Sequence, residues 1–247
     1  MIMKKHFLSL LLLSGLIFLN SCNGFLYSED VPPGGYETKT FDLNAFDNIE
    51  AGSTFVITVI PSTESSVTVK GYRRDIDDLL VQNRNGELSI QYKKIGLQLK
   101  KIRRYKMEVV IKTDKLKELD LSGASHTSIS ELFDLSRLDV DLSGASHLKI
   151  NGKVGKLDAD ISGASELTLL QSVPEIDAEI SGASTLHAFD ANTQQAFLDL
   201  SGASKAKVSV AKLLDVEASG ASTVTYKGDP SIKSRLTGAS KIKKDQE

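Results

Sequence analysis

Cysteine occurs once in the 247 residues, tryptophan not at all and proline five times, and aromatic residues make up only 6%. A single cysteine excludes an internal disulfide framework. The absent tryptophan and sparse rings remove the usual stacking platforms for sugars and bases. An excess of one charge is missing too. Thirty Lys and Arg stand against 32 Asp and Glu, a net charge of −2. That balance excludes a strongly basic nucleic-acid-binding chain, so no nucleic acid is expected among the partners. No apolar run reaches the roughly 20 residues of a bilayer-spanning helix, which excludes a polytopic membrane protein. What is present, 40% apolar and 25% charged residues, is ordinary globular material with enough side chains for a core.

The first 22 residues read as an address. Lys4 and Lys5 precede an apolar run from Phe7 to Leu19, broken only by Ser9, Ser14 and Gly15. Its length suits the apolar region of a signal peptide better than an anchor. It ends in Leu19-Asn20-Ser21-Cys22, which contains the only cysteine. This order resembles a bacterial lipobox, in which the cysteine is acylated and becomes the mature N-terminus. The alternative is an ordinary secretory signal with an incidental thiol. On the lipoprotein reading residues 1–21 are removed, Cys22 carries lipid, and 22–44, with Pro32-Pro33-Gly34-Gly35, form a tether to the membrane.

From residue 113 onward a repeat dominates. Ser-Gly-Ala-Ser begins at Ser122, Ser143, Ser162, Ser181, Ser201 and Ser219, and Thr-Gly-Ala-Ser at Thr237, spaced 18–21 residues apart. The residue before each motif is apolar: Leu121, Leu142, Ile161, Ile180, Leu200, Ala218 and Leu236. Two positions further back lie Leu119, Val140, Ala159, Ala178, Leu198, Val216 and Ser234, and charged residues fall between the two rows. This period of two marks a strand with one face buried and one in water. Alternation resumes after the motif, so each repeat reads as strand, corner, strand and variable turn. A repeat this short cannot enclose a core alone and must stack on its neighbours. An α-solenoid needs longer repeats with helical spacing, whereas a parallel β-helix fits. Glycine suits the sharp corner, alanine is expected inside the bend, and the serine hydroxyls are expected to bond to the backbone or the next coil. Seven interchangeable copies argue against an active-site serine, which needs one activated copy beside a base.

Residues 45–112 lack the motif but are strand-rich, and Asn85-Gly86 signals a hairpin between Leu79-Leu80-Val81 and Leu88-Ser89-Ile90. They are expected to form irregular first coils that cover the N-terminal end of the 113–247 stack. At the other end Lys241, Lys243, Lys244, Asp245 and Glu247 form a charged last edge, a common defence against edge-to-edge pairing.

The segments Phe46-Asp47-Asn48-Ile49-Glu50-Ala51-Gly52, Val56-Ile57-Thr58-Val59, Val67-Thr68-Val69-Lys70-Gly71 and Gly86-Glu87-Leu88-Ser89-Ile90, followed by the repeats, resemble the putative auto-transporter adhesin head-GIN-domain family. The resemblance covers about residues 45–240. It implies a right-handed parallel β-helix in a secreted or lipid-anchored protein of a Gram-negative bacterium, here an outer-membrane lipoprotein of the cell envelope.

The wet face before the corner carries two acidic rows. One is Asp120, Asp141, Asp160, Glu179, Asp199 and Glu217; the other is Glu118, Asp139, Asp158, Asp177 and Asp215. Paired rungs are candidates for weak Ca²⁺ binding through carboxylate oxygens, set against a simple solvated face that resists aggregation. The segment from Lys93 to Lys106 holds seven basic residues and no acid, with Lys100, Lys101, Arg103, Arg104 and Lys106 as candidate anion contacts. His126 and His147 occupy equivalent rungs without a zinc motif. Three readings follow. The first is a non-enzymatic, lipid-anchored β-helix whose charged surface serves adhesion or glycan binding. The second is a calcium-assisted polysaccharide lyase or hydrolase, and the third a scaffold for other envelope proteins. The first leads, because the repeat places every Asp in near-equivalent surroundings, poor ground for separating the two proton affinities an acid–base pair needs.

Overall fold

Alternating side chains along short strands, joined by corners that only glycine accommodates, stack this chain into a β-solenoid of about seven turns. The computed structural model describes residues 33–93, 103–131 and 133–246. Strand accounts for 65% of it and helix for 2%. The compact unit spans Pro33–Lys94 and Arg104–Glu247. Its N-terminal part contains β1 (Tyr36–Asp42), β2 (Asn48–Ser53), β3 (Phe55–Pro61), β4 (Ser66–Tyr72), the short helix α1 (Arg73–Asp77), β5 (Leu79–Arg84), β6 (Glu87–Tyr92) and β7 (Met107–Thr113). The repeats supply β8 (Glu118–Gly123), β9 (His126–Ile129), β10 (Asp134–Leu142), β11 (His147–Ile150), β12 (Lys153–Ile161), β13 (Glu166–Leu169), β14 (Glu175–Ile180), β15 (Thr185–Leu200), β16 (Lys205–Ala218), β17 (Thr223–Lys227), β18 (Ser231–Leu236) and β19 (Lys241–Lys244).

Within the repeats every pairing is parallel, and register is kept from coil to coil except where β15 meets β16, which shifts between Ala188 and Gln195. Leu119 stands over Val140, Ala159, Ala178, Leu198, Val216 and Ser234 in one column. Leu148, Leu167, Leu186, Ala206, Val224 and Ile242 form an equivalent column after the corner. From Leu119 to Val224 these inward residues are at most 6% exposed. Burying a Leu, Ile or Val side chain stabilises by about 1.5–3 kcal/mol. No coil can realise that gain without the coils above and below it.

The corner keeps the backbone ladder intact. Each motif glycine lies at φ between +70° and +79°, a region closed to most side chains. The following alanine N–H donates to the glycine carbonyl of the preceding coil, as in Ala145 to Gly123 (2.7 Å), Ala183 to Gly163 (2.8 Å) and Ala239 to Gly220 (2.7 Å). The flanking residues do the same, Ser162 to Leu142 (2.8 Å) and Glu166 to Ser146 (2.9 Å). Stacking therefore runs through the bend without a gap. Corrected by the structure is the place of the alanine. From Ala145 to Ala239 it is exposed, while the final serine of each motif, from Ser125 to Ser222, is 0–2% exposed. The left-handed glycine turns the chain so that the fourth residue, not the third, points inward. Its hydroxyl is then satisfied locally: Ser146 Oγ donates to Ser143 O (2.9 Å) and Ser222 Oγ to Ser219 O (2.8 Å).

At the N-terminal end chain order and stacking order differ. The coil made by β2 and β3 lies between β6–β7 on one side and β8–β9 on the other. Antiparallel strands then finish this end: β5 pairs with β6, β4 with β7, and β1 with β4. Asn85 (φ 55°) and Gly86 (φ 88°) form the tight turn of the β5–β6 hairpin. Strand β1 falls inside the stretch expected to be tether. Its backbone pairs along the whole of β4, from Tyr36 opposite Tyr72 to Asp42 opposite Ser66, although its side chains are mostly exposed.

A β-branched side chain at a motif glycine has to adopt the left-handed region, at about 1–2 kcal/mol, and overpacks the coil below, at about 1–3 kcal/mol more. At Gly182 an added Cβ would fall well inside contact distance of the Gly163 carbonyl oxygen. Gly182→Val is therefore expected to lower stability severely in a denaturant or thermal melt; an unchanged melting temperature would refute this account of the corner.

Candidate functional site

Strand parity brings the two acidic rows to one outer face. Asp120, Asp141, Asp160, Glu179, Asp199 and Glu217 are direct rung partners, and Arg235 ends the row. Glu50 extends it at the other end, paired with Asp120. Glu118, Asp139, Asp158 and Asp177 form the second row, which Phe197 interrupts before Asp215. Between the rows runs an open groove of about 430 Å³, with Val140 and Ala159 contributing to its lining.

The rows differ in their counter-charges. Arg137 bonds Asp139 (2.8 Å) and Asp158 (2.7 Å), and Lys156 reaches Asp158 (3.5 Å) and Glu175 (2.8 Å). These bases were not among the residues singled out from sequence. They lie two positions before Asp139 and Asp158, so following the same alternation one step further back would have found them. The row nearer the corner has no such partner. Among the described residues, Asp120, Asp141, Asp160, Glu179 and Asp199 meet no basic side chain, and only Glu217 is paired, with Arg235. Partial burial and then the neighbouring carboxylates Asp141, Glu50, Glu118 and Glu87 raise the pKa of Asp120. Burial and then Asp160 raise that of Asp141. Both shifts share one direction and the same two causes, partial withdrawal of a carboxylate from water and then like charges beside it.

The acids form a rail, not a cage. Among the described residues no group of three or more His, Cys, Asp or Glu is placed to hold a metal ion. On the face after the corner, His126 and His147 stack with ring centres 4.7 Å apart, and Glu166 lies 3.7 Å from both His147 and His187.

The candidate anion contacts divide. Cys22, Lys100 and Lys101 lie outside the described residues. Arg103 and Lys106 are exposed. Arg104 is not a free contact: its guanidinium reaches Asp75 (3.1 Å) and Asp78 (2.7 Å) and lies 4.1 Å from the Tyr92 ring centre. Asp75 is 1% exposed. It also takes the Arg74 guanidinium (2.9 Å) and the Tyr105 N–H (3.1 Å). A buried carboxylate requires this many donors, so Arg104 is spent on the fold. Burial, with Asp75 nearby, pushes the Tyr92 hydroxyl up to about 12.

The sequence matches the family model described as putative auto-transporter adhesin, head GIN domain, over residues 45–230. No curated protein matches it. Several solved structures are similar in fold. A putative adhesin from Parabacteroides merdae shares 17% identity at a TM-score of 0.66, over 86% of this chain and 97% of that one. A putative lipid binding protein from Parabacteroides distasonis shares 18% at 0.72, over 86% and 98%. A putative adhesin from Bacteroides fragilis shares 18% at 0.71, over 85% and 97%. At these identities the likeness is one of fold.

Because the pKa of Asp141 is raised on folding, the folded chain binds more protons than the unfolded chain between the ordinary carboxylate value and the raised one. This group's contribution to stability therefore grows as pH falls through that window and is unfavourable above it. Asp141→Asn is expected to raise stability at neutral pH by about 0.2–1 kcal/mol, the size of a like-charge cross-strand pair. The gain should shrink as pH falls to the ordinary carboxylate pKa, and a loss of stability at pH 7 in thermal melts would contradict the electrostatic account.

Proposed function

The chain belongs to the putative auto-transporter adhesin, head GIN domain family, and from that premise we propose that it is a non-enzymatic, adhesin-like binding protein of the cell envelope. Acylated Cys22 holds it to the outer membrane of a Gram-negative cell, and the acidic sheet face is its contact surface. One observation carries this reading: a row of carboxylates, one per coil, without counter-charge from Asp120 to Asp199 among the described residues. In water such a row costs stability through repulsion. A ligand with regularly spaced cationic or hydrogen-bonding groups relieves that repulsion and matches the strand spacing of about 4.8 Å. Glycans bearing amino or hydroxyl groups, with or without bridging Ca²⁺, have this character.

The same face supports binding better than turnover. A lyase or hydrolase needs two groups with proton affinities pushed apart. Asp120 and Asp141 instead shift the same way for the same reason.

Glycan-array binding by the purified protein, with and without millimolar calcium, tests the proposal. Specific binding without cleavage, lost in the Asp141→Asn/Asp160→Asn/Glu179→Gln variant at an undiminished melting temperature, is the expected result. A cleaved glycan would overturn the non-enzymatic reading, and binding indifferent to the triple variant would remove the acidic row from the site. For the anchor, the wild-type chain expressed in a Gram-negative host should fractionate with membranes and Cys22→Ala with the soluble fraction. Equal partition of the two would count against acylation.

A further inference from the structure

The two ends of the solenoid are finished differently. Antiparallel strands cover the N-terminal coil, as described above. At the other end of the described residues the last strands are β18 and β19, each paired on one side only among the described residues, with β16 and β17. Every residue of β18 is exposed, including Ile232 (41%) and Leu236 (37%), which continue columns that are buried in the coils beneath. The lysines of β19 defend only their own half of this edge.

The backbone of β18 is arranged to accept another strand. Thr237 N–H donates to Ala218 O (2.8 Å), just as Ser219 N–H donates to Leu200 O (2.8 Å). In a parallel ladder the N–H and C=O of alternate residues point to the same neighbour. The groups of Ile232, Ser234 and Leu236 therefore point away from β16, where Ala218 in the coil beneath offers its carbonyl to the next coil.

The charges indicate what the next strand should be. Outward positions on the last coil are basic: Lys233, Arg235, Lys241 and Lys243. In the rungs below, Lys233 stands over Asp215 and Arg235 over Glu217. Lys233, Lys241 and Lys243 have no ion pair among the described residues. A second copy of this edge is a poor partner. Antiparallel self-pairing that keeps Ile232 and Leu236 facing inward sets Lys233 opposite Lys233 or Arg235, and Lys241 opposite Lys243, all unfavourable like-charge pairs. An acidic strand instead gives each base a partner on its open side.

We propose that the β18–β19 edge takes an extended segment of a partner polypeptide as an additional strand, apolar at inward positions and acidic at outward ones. This is β-augmentation, with main-chain bonds supplying affinity and the alternating side chains specificity. The site lies on the end of the stack and is separate from the acidic face proposed for adhesion.

The chain itself supplies a probe. Residues 156–162, Lys-Leu-Asp-Ala-Asp-Ile-Ser, belong to the column that ends at β18, so that Leu157, Asp158, Ala159, Asp160 and Ile161 correspond to Ile232, Lys233, Ser234, Arg235 and Leu236. A labelled peptide of this sequence is titrated against the full chain and compared with a control carrying Lys at both Asp positions. The acidic peptide is expected to bind saturably and at least about tenfold tighter than the control, as two cross-strand ion pairs turned into like-charge pairs imply. Ser234→Pro removes a donor aimed at the open side and spares the bonds to β16, as proline is tolerated on an edge strand. It should abolish binding with little change in melting temperature. Lys233→Glu, which leaves the backbone untouched, should weaken the acidic peptide and favour the control. Absence of binding, equal binding of both peptides, or binding that survives Ser234→Pro would overturn the proposal. So would a dimer of the free chain that Ser234→Pro dissolves, because the occupant would then be a second copy.

Discussion

The structure depends on a backbone hydrogen-bond ladder that passes through a sharp bend without losing a rung. The bend requires positive φ, and the coil beneath leaves no room for a Cβ at that point, so glycine meets both demands at once. Because the alanine N–H finds the glycine carbonyl of the preceding coil, each corner is both a turn and part of the sheet. Everything outward of the corner inherits that regularity. Like residues fall over like residues, and the columns of leucine inside and carboxylate outside are two results of one register.

That register creates the functional problem and the functional opportunity together. Apolar residues gain by stacking, whereas carboxylates at the same spacing repel. The row containing Asp139 and Asp158 is relieved by Arg137 and Lys156, while among the described residues the row nearer the corner is relieved only at Glu217, by Arg235. Partial burial first, and then the same uncompensated charge, raise the proton affinity of Asp120 and Asp141. The ends obey the same logic, since a ladder has to stop somewhere. Antiparallel strands stop it on one side, and on the other the last described strands leave an edge beside basic residues.

The repeat part was legible in the sequence because its information is local. Period-two alternation assigned each residue of 118–121 and 139–142 to its face, and the structure keeps those faces. The Asn85-Gly86 turn was legible for the same reason. Alanine was misplaced at the corner because the outcome depends on the direction in which a left-handed glycine sends the chain, which residue type alone does not reveal. Arg104 was read as an available cation, yet its partners Asp75 and Asp78 lie 26 and more residues away in sequence. Arg137 and Lys156 lie one alternation step beyond the acids beside the motif, and parity places them on the same face.

The sequence by itself therefore determined the coil length, the inward and outward columns and the corner chemistry, all set by side-chain alternation and glycine φ within one repeat. Only the tertiary structure decided that the β2–β3 coil slots between β6–β7 and β8–β9, that Arg104 is bound up with a buried carboxylate, which acidic row stays unpaired, and which end of the stack remains open. Each of these depends on contacts between distant parts of the chain. Such contacts are chosen by the whole core and by competition among charges, and no single stretch of residues encodes them.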